Sequence, residues 1–329
     1  MIILNAADVR KALPMRAAID AVKRAYAALS DGRAEVPLRT HLKVAPSDGL
    51  GLFMPAFVSD SAGEAMAVKI VTLFDKNPAR GLPFIHAAVL VMDPQTGKML
   101  AMLEGGTLTA IRTGAASGAS TEILAREDSR VAAIFGAGVQ ARTQLEAVCT
   151  VRKIEEAWVF DADSARAQAM AAEVAGKGPI TANVKVAANP QQALENADVV
   201  CTATTSAKPV FEDKFLKTGA HVSGVGSYTP QMAEVPVETV QRARVVVDSR
   251  PAALAEAGDL IQPINAGVWN PSQIHAELGE IVLGRKSGRQ SAAEITFFKS
   301  VGLAAQDAAA AQVALAYAAE HGLGQVIEF

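Results

Sequence analysis

RVAAIFGAGVQARTQLEAV, residues Arg130 to Val148, is the stretch from which the fold can be read. An apolar run from Val131 to Phe135 meets Gly136-Ala137-Gly138-Val139-Gln140-Ala141 and passes directly into a helical pattern. Strand, tight turn and helix in that order open a dinucleotide-binding unit. Gly136 permits the turn, Gly138 lets the backbone approach a pyrophosphate, and Ala141 in the third-glycine position lets helix and strand pack closely. A diphosphate would then rest on unpaired amides at the helix N-terminus, where the dipole favours negative charge. A second apolar run, Ala157 to Phe160, ends in Asp161, twenty residues beyond Ala141. A carboxylate in that place accepts hydrogen bonds from the adenine-side ribose and repels a 2′-phosphate. NAD(H) is therefore the expected coenzyme and NADP(H) the alternative. Asp161 also reads as a turn residue in Asp161-Ala162-Asp163, and on sequence alone both readings stand.

Composition bounds the rest. The chain has 329 residues, half of them hydrophobic, without an apolar run long enough to span a bilayer. That suits two domains of a soluble, cytoplasmic enzyme. Nothing at the N-terminus has the pattern of a secretory leader. A net charge of −3 offers no basic stripe for nucleic acid, and 5% aromatic residues offer few stacking surfaces. Cys149 and Cys201 lie in apolar surroundings and read as buried, inert thiols of a reducing compartment. His41, His221, His275 and His321 show no ligand spacing with the acidic residues, so no metal is expected.

Ahead of the dinucleotide unit, Met15 to Leu29 carries Ile19, Val22, Tyr26 and Leu29 at helical spacing and stops at Asp31-Gly32. From Pro37 to Asp93 the pattern becomes short strands, LRTHLKV, GLGLFMPAFV, AMAVKIVTLF and FIHAAVLVMD, followed by a turn into KMLAML. The predicted fold is α/β: a Rossmann-type parallel sheet over 126–302, plus a smaller α+β substrate and dimerisation domain with an antiparallel sheet over 1–125 and 303–329. The Ala-rich segment Ala304 to Ala319 reads as a tightly packed helix.

Three basic residues in the smaller domain stand among apolar neighbours: Arg39 at a strand start, Lys69 in AMAVKIVTLF, and Arg112 in TLTAIRTGAASGAS. In the last segment Thr107 or Thr109 can cap a helix, and the Ala/Gly/Ser run allows close packing. A structural salt bridge is the ordinary explanation for any one such cation. With no obvious carboxylate nearby in sequence, the three together make a carboxylate-binding pocket a competing reading.

The ordered motifs PLRTHL, FMPAFV, VKIVTLF, GLPFIHAAVLVMDPQTG, LTAIRTGAASG, FGAGVQAR, ELGEIVLG and ITFFKSVGLAAQD resemble the ornithine cyclodeaminase and mu-crystallin family over essentially the whole chain. The resemblance implies a homodimer and leaves the reaction open among cyclodeaminases, alanine dehydrogenases, ketimine reductases and a hormone-binding member. It implies substrate-binding roles for Arg39, Lys69 and Arg112, with Lys69 the catalytic candidate and Arg112 near both carboxylate and nicotinamide. It implies dinucleotide contacts from Ala137, Val139, Gln140, Asp161, Thr202, Ala203 and Val222-Ser223-Gly224, beside Gly136 and Gly138 of the turn itself, and a lining of nicotinamide and substrate by Ser300 and Val301.

The departures are informative. Where cyclodeaminases and archaeal alanine dehydrogenases of this family carry an aspartate two residues before a proline, this chain has Tyr228, and Met232 stands where they carry a lysine. A phenol with a pKa near 10 cannot act as that base at neutral pH. Phe84 replaces a Thr or Ser frequent in the family and narrows the pocket. The turn resembles instead that of the ketimine reductases. Reduction of 1-pyrroline-2-carboxylate or 1-piperideine-2-carboxylate to L-proline or L-pipecolate needs a hydride, a cationic grip on one carboxylate and one proton. Lys69 is the first proton-donor candidate and His86 the second; His86 reads equally as a structural strand histidine. Tyr228 is either a hydrogen-bond donor or an apolar wall. Gly258-Asp259-Leu260 and Asp307 read as a turn and a helix contact. An amino-acid dehydrogenase or cyclodeaminase, and a mu-crystallin-like ligand-binding protein, are the alternatives.

Overall fold

The computed structural model describes residues 1–328; residue 329, which closes the expected range 303–329, lies outside them. The chain divides into two compact units, Met1–Arg112 with Leu303–Phe329, and Thr113–Gly302. The break falls after Arg112, where the sequence pattern put it after 125.

The first unit is built on one sheet of β1 (Ile2–Leu4), β2 (Ala34–Glu35), β3 (Thr40–Val44), β4 (Gly49–Asp60), β5 (Gly63–Phe74), β6 (Ile85–Met92), β7 (Met99–Glu104) and β16 (Gln325–Val326). Its order is β16-β1-β7-β6-β5-β4-β2, with β3 also on β4. From β2 to β7 the pairing is antiparallel, and β1 joins β7 in parallel. β4 and β5 are each 12 residues long, not the short strands expected. The run through Ser59 and Asp60 stays paired until Gly63, whose φ of +116° admits the reversal.

Side chains alternate across this sheet. Met54, Ala56 and Val58, with Ala65 and Ala67, then Val89 and Val91, are buried on one face. Helices α1 (Ala6–Ala12), α2 (Met15–Ser30) and α11 (Ala304–His321) complete the unit; α11 packs on α2, β4 and β5. α2 buries Ile19, Val22 and Tyr26 of the stripe expected of it, while Leu29 near its end is half-buried. Ala304 to Ala311 are all buried, since a methyl side chain lets a helix lie close to a sheet. On the other face the cross-strand rows are apolar but only half-buried: Phe53, Ile70 and Ala88, then Val68, Leu90 and Met102, then Phe57, Met66 and Met92.

The second unit is an all-parallel sheet of β8 (Val131–Phe135), β9 (Glu156–Phe160), β10 (Val184–Val186), β11 (Val199–Thr202), β12 (His221–Gly224), β13 (Arg244–Val247), β14 (Ile274–Glu277) and β15 (Thr296–Lys299), in the order β10-β9-β8-β11-β12-β15-β13-β14. Its inner strands β8, β11 and β13 are near-continuous apolar runs because both faces are covered. One face buries Leu145, Val148, Met170 and Val174 from α4 (Val139–Val151) and α5 (Ser164–Val174). The other buries Leu194 from α6 (Pro190–Leu194), Val240 from α7 (Val237–Arg242), Ala253 from α8 (Arg250–Glu256) and Leu260 from α9 (Gly258–Asn265). A short α10 (Leu278–Val282) follows β14. Strand order reverses between β8 and β11, and ligands of such sheets bind at the carboxyl ends beside that switch point.

α3 (Gly105–Leu124) carries Arg112 near its middle. Its cap is not Thr107 or Thr109: the Glu104 carboxylate accepts the Gly106 and Thr107 amides at 2.7 and 2.8 Å. The small-residue run does serve close packing, since a Cβ on Gly114 would sit 2.5 Å from the Thr143 carbonyl oxygen of α4.

Candidate active site

At the switch point of the second unit a cavity of about 530 Å³ is lined by Gly136, Ala137, Gly138, Asp161, Arg166, Ala203 and Thr204, among others. Gly136 has φ +100°, and a Cβ there would lie 2.6 Å from the Ala203 carbonyl oxygen, so glycine is required twice over. A Cβ on Gly138 would meet nothing within 4 Å. Gly138 is also the N-cap of α4 and brings no side-chain cap, so the first-turn amides are left for an anion. Asp161 accepts the Ala137 amide through Oδ2 at 2.8 Å and the Asp163 amide through Oδ1 at 2.9 Å. The turn reading of this residue is the one observed: it shapes its own turn and also holds the glycine turn. These features fit a dinucleotide. Val139 begins α4 with 65% of its surface exposed, and Gln140 follows with its Oε1 buried without a hydrogen-bond partner.

The remaining predicted coenzyme residues divide by role. Ala203 lines the cavity, joined by Thr204, Thr205 and Ser206, which the sequence did not single out. Thr202, Val222, Ser223 and Gly224 are buried in their strands. Thr202 Oγ1 donates to Glu234 at 2.9 Å, and Ser223 Oγ pairs with Ser120 Oγ at 3.0 Å, so these two side chains are engaged internally. Ser300 Oγ and the amides of Val301 and Gly302 all donate to Asp248 Oδ2, at 2.8, 2.9 and 2.9 Å. Asp248 thus pins the segment that follows β15.

Sequence reading also missed a buried charge cluster behind these turns. Glu234 is fully buried and accepts from Thr202, Thr204, Gly226 and Ser227. Burial pushes its carboxyl upward, against the pull of the Lys299 ammonium. Asp259, read from sequence as a turn residue, accepts the amides of Glu234 and Val235 at 2.6 and 3.0 Å and ion-pairs with Lys299 at 3.0 Å.

In the first unit the basic residues do have an internal acid. Lys69 Nζ lies 2.7 Å from Asp307 Oδ2, and Arg112 Nε donates to Asp307 Oδ1 at 2.8 Å. The side chains of Lys69, Arg112 and Asp307 are 2%, 7% and 1% exposed. Arg112 Nη1 also donates to Gln306 Oε1 at 3.3 Å. No carboxylate was obvious nearby in sequence, and the one that pairs with Lys69 and Arg112 comes from far along the chain: Asp307, 195 positions from Arg112. A signal existed, since Asp307 is the single acid between Ala304 and Ala319, and an acid in an alanine-faced helix must be paired inside. Burial lowers the Lys69 ammonium to about 8; the Arg112 charge adds to this, Asp307 opposes it, and Arg39 lowers it further. Arg39, half-buried just ahead of β3, therefore acts on the same group.

His86 stands apart from Lys69 within the first unit. His86 is exposed and pairs in register with Thr72, on the sheet face opposite Lys69. Tyr228 is 41% exposed in the second unit.

This geometry agrees with the comparisons. The model of the ornithine cyclodeaminase/mu-crystallin family matches residues 1–321. A Delta(1)-pyrroline-2-carboxylate reductase of Bacillus cereus is 40% identical over 330 residues, covering 100% of both chains. The structure of Thermococcus litoralis Delta(1)-pyrroline-2-carboxylate reductase in complex with NADH and L-proline superposes with a TM-score of 0.93 at 44% identity, over 99% of this chain and 100% of that one. An archaeal alanine dehydrogenase dimer with bound NAD gives 0.91 at 32% identity, over 100% and 99%. With the family model matched over residues 1–321 and relatives matched from end to end, the chain belongs to the ornithine cyclodeaminase/mu-crystallin family.

Proposed function

We propose that this protein reduces small cyclic α-imino acids, 1-pyrroline-2-carboxylate and 1-piperideine-2-carboxylate, to L-proline and L-pipecolate with NADH. The observation that carries this reading is the buried trio Lys69, Arg112 and Asp307. Two cations share one anion there, which leaves a net positive site suited to one carboxylate of a substrate. Arg112 spends Nε on Asp307 and Nη1 on Gln306 and keeps further N–H donors for that carboxylate. Lys69, protonated at neutral pH and poised to release its proton, is the acid for the imine nitrogen. Bound along the N-terminus of α4, NADH would supply the hydride for the imine carbon. Asp161, which lines the cavity, supports NADH over NADPH. Tyr228 brings no base, which supports reduction over chemistry that must strip a proton from an ammonium.

The named relatives support the same substrate class. The half-buried apolar rows of Phe53, Ile70, Val68, Leu90 and Met66 support a homodimer formed through that sheet face. A reducing, cytoplasmic setting accords with Cys149 and Cys201, free thiols that burial raises to about 11 and about 12. No described helix is long and apolar enough to cross a membrane.

The test is absorbance at 340 nm with NADH and each candidate substrate. Oxidation with 1-pyrroline-2-carboxylate, lost by at least about a hundredfold in Lys69→Ala, is expected. Oxidation only with pyruvate plus ammonia, or ammonia release from ornithine, would replace this reading.

A further inference from the structure

We propose that Asp307 is a positioning residue of this reaction: its carboxylate holds Lys69 and Arg112 in one arrangement and keeps Lys69 the proton carrier of the cluster. The proposal rests on the imine-reductase reading and adds a residue that the sequence took for a helix contact.

The geometry is specific. Each oxygen of one carboxylate serves a different cation, Oδ2 the Lys69 ammonium at 2.7 Å and Oδ1 Arg112 Nε at 2.8 Å. The carboxylate itself stands on a fixed support, the first turn of α11, where every side chain from Ala304 to Ala311 is buried. Its neighbour Gln306 ties the helix start to the same cluster, accepting the Leu303 amide at 2.7 Å and Arg112 Nη1 at 3.3 Å through one Oε1. Substrate binding at Lys69 and Arg112 is thus referred to one rigid helix.

Charge gives the second half of the argument. The charged groups facing Lys69 are Arg112 from α3, Asp307 from α11 and Arg39 ahead of β3. Its register partners on β4 and β6, Met54 and Val89, carry none. Burial and two guanidiniums all drive the proton off Lys69, and guanidiniums do not yield theirs. Asp307 is the group that opposes this. In the reaction, as the hydride reaches the imine carbon, the C=N π pair becomes the new N–H bond with the proton that leaves Lys69 Nζ. Lys69 is then neutral beside Asp307 and takes its next proton from water.

Asp307→Asn separates the two functions. Its amide oxygen can still accept from Arg112 Nε, but its NH2 group faces the Lys69 ammonium, donor against donor. In the parent, kcat/KM for imine reduction should be level below pH about 8 and fall above it, because the protonated lysine is the active form. In Asp307→Asn the fall should begin at least about one pH unit lower, cutting the protonated fraction at pH 8 from about one half to about one tenth, a fivefold loss at that pH. A readout without turnover is calorimetry of pyrrole-2-carboxylate, a planar analogue of the imine, in two buffers of different ionisation heat. Proton uptake on binding should peak near pH 8 in the parent and at lower pH in the variant. Asp307→Glu, which restores the charge, should return the limb to the parental pH. NADH binding, measured by fluorescence, checks that each variant is folded. An unshifted limb in a folded Asp307→Asn, with activity down equally at every pH, overturns the proposal; so does an Asp307→Glu limb displaced as far as the amide's. A parent inactive on the imine would sink the functional reading instead, while the calorimetric arm would still decide the titration of Lys69.

Discussion

Replacing Glu234 by glutamine should destabilise the dinucleotide-binding unit far more than a change of one atom suggests. Glu234 Oε2 accepts Thr202 Oγ1 at 2.9 Å, the Gly226 amide at 2.6 Å and the Ser227 amide at 3.2 Å. Oε1 accepts the Thr204 amide at 2.6 Å and Thr204 Oγ1 at 2.8 Å. One carboxylate thereby stitches the end of β11 and the turn after it to the turn after β12. In the glutamine variant one of these oxygens becomes an NH2 group facing donors. The hydroxyls can rotate to accept from it, but the backbone amides cannot. Turned one way the amide opposes Thr204 N–H, and turned the other way it opposes both Gly226 and Ser227. A buried donor left unmet costs about 1–3 kcal/mol, and a disturbed buried charge network about 3–5 kcal/mol, so the expected loss is about 2–5 kcal/mol. For a unit of this size each kcal/mol lowers the melting temperature by about 2–4 °C, which makes the expected drop about 4–20 °C. Thermal unfolding followed by circular dichroism measures it, and a titration with NADH should show weaker binding, because Thr204 lines the coenzyme cavity. A melting temperature within about 2 °C of the parent, with NADH affinity unchanged, would refute the claim that this carboxylate holds the turns.

Two further outcomes follow from the geometry. Gly136→Ala places a Cβ 2.6 Å from the Ala203 carbonyl oxygen at φ +100°, so NADH affinity should fall at least about tenfold with a loss of roughly 1–3 kcal/mol in stability; equilibrium fluorescence titration and thermal unfolding check both. His86→Ala should leave kcat/KM for imine reduction within about twofold across pH 6–9, since His86 is exposed on the face away from Lys69; a large loss of rate with a displaced alkaline limb would restore it as a proton donor.

How much of this was legible beforehand depends on the range of the interaction involved. The glycine turn, its strand and helix, and Asp161 could be read because their reasons lie within a few residues or within one βαβ unit: a positive φ, an uncapped helix start, a carboxylate at the end of the next strand. The resemblance in ordered motifs likewise pointed to the family and to Lys69 and Arg112. Strand lengths were underestimated because polar Ser59, Asp60 and Glu64 look like a loop, yet they continue the β4–β5 ladder to its turn. Thr107 and Thr109 were plausible caps by type, but Glu104 reaches both leading amides first.

The amino-acid sequence by itself determined a nucleotide-binding parallel sheet, a second antiparallel sheet and three cations set among apolar neighbours, because local backbone preference and apolar periodicity are written in neighbouring residues. Only the tertiary structure decided which acid those cations meet, on which side of the sheet His86 lies, and that Glu234, Asp259 and Lys299 form one buried network. Those answers depend on which distant segments exclude water together. Asp307 meets Arg112 across 195 positions, and no local pattern records such a pairing.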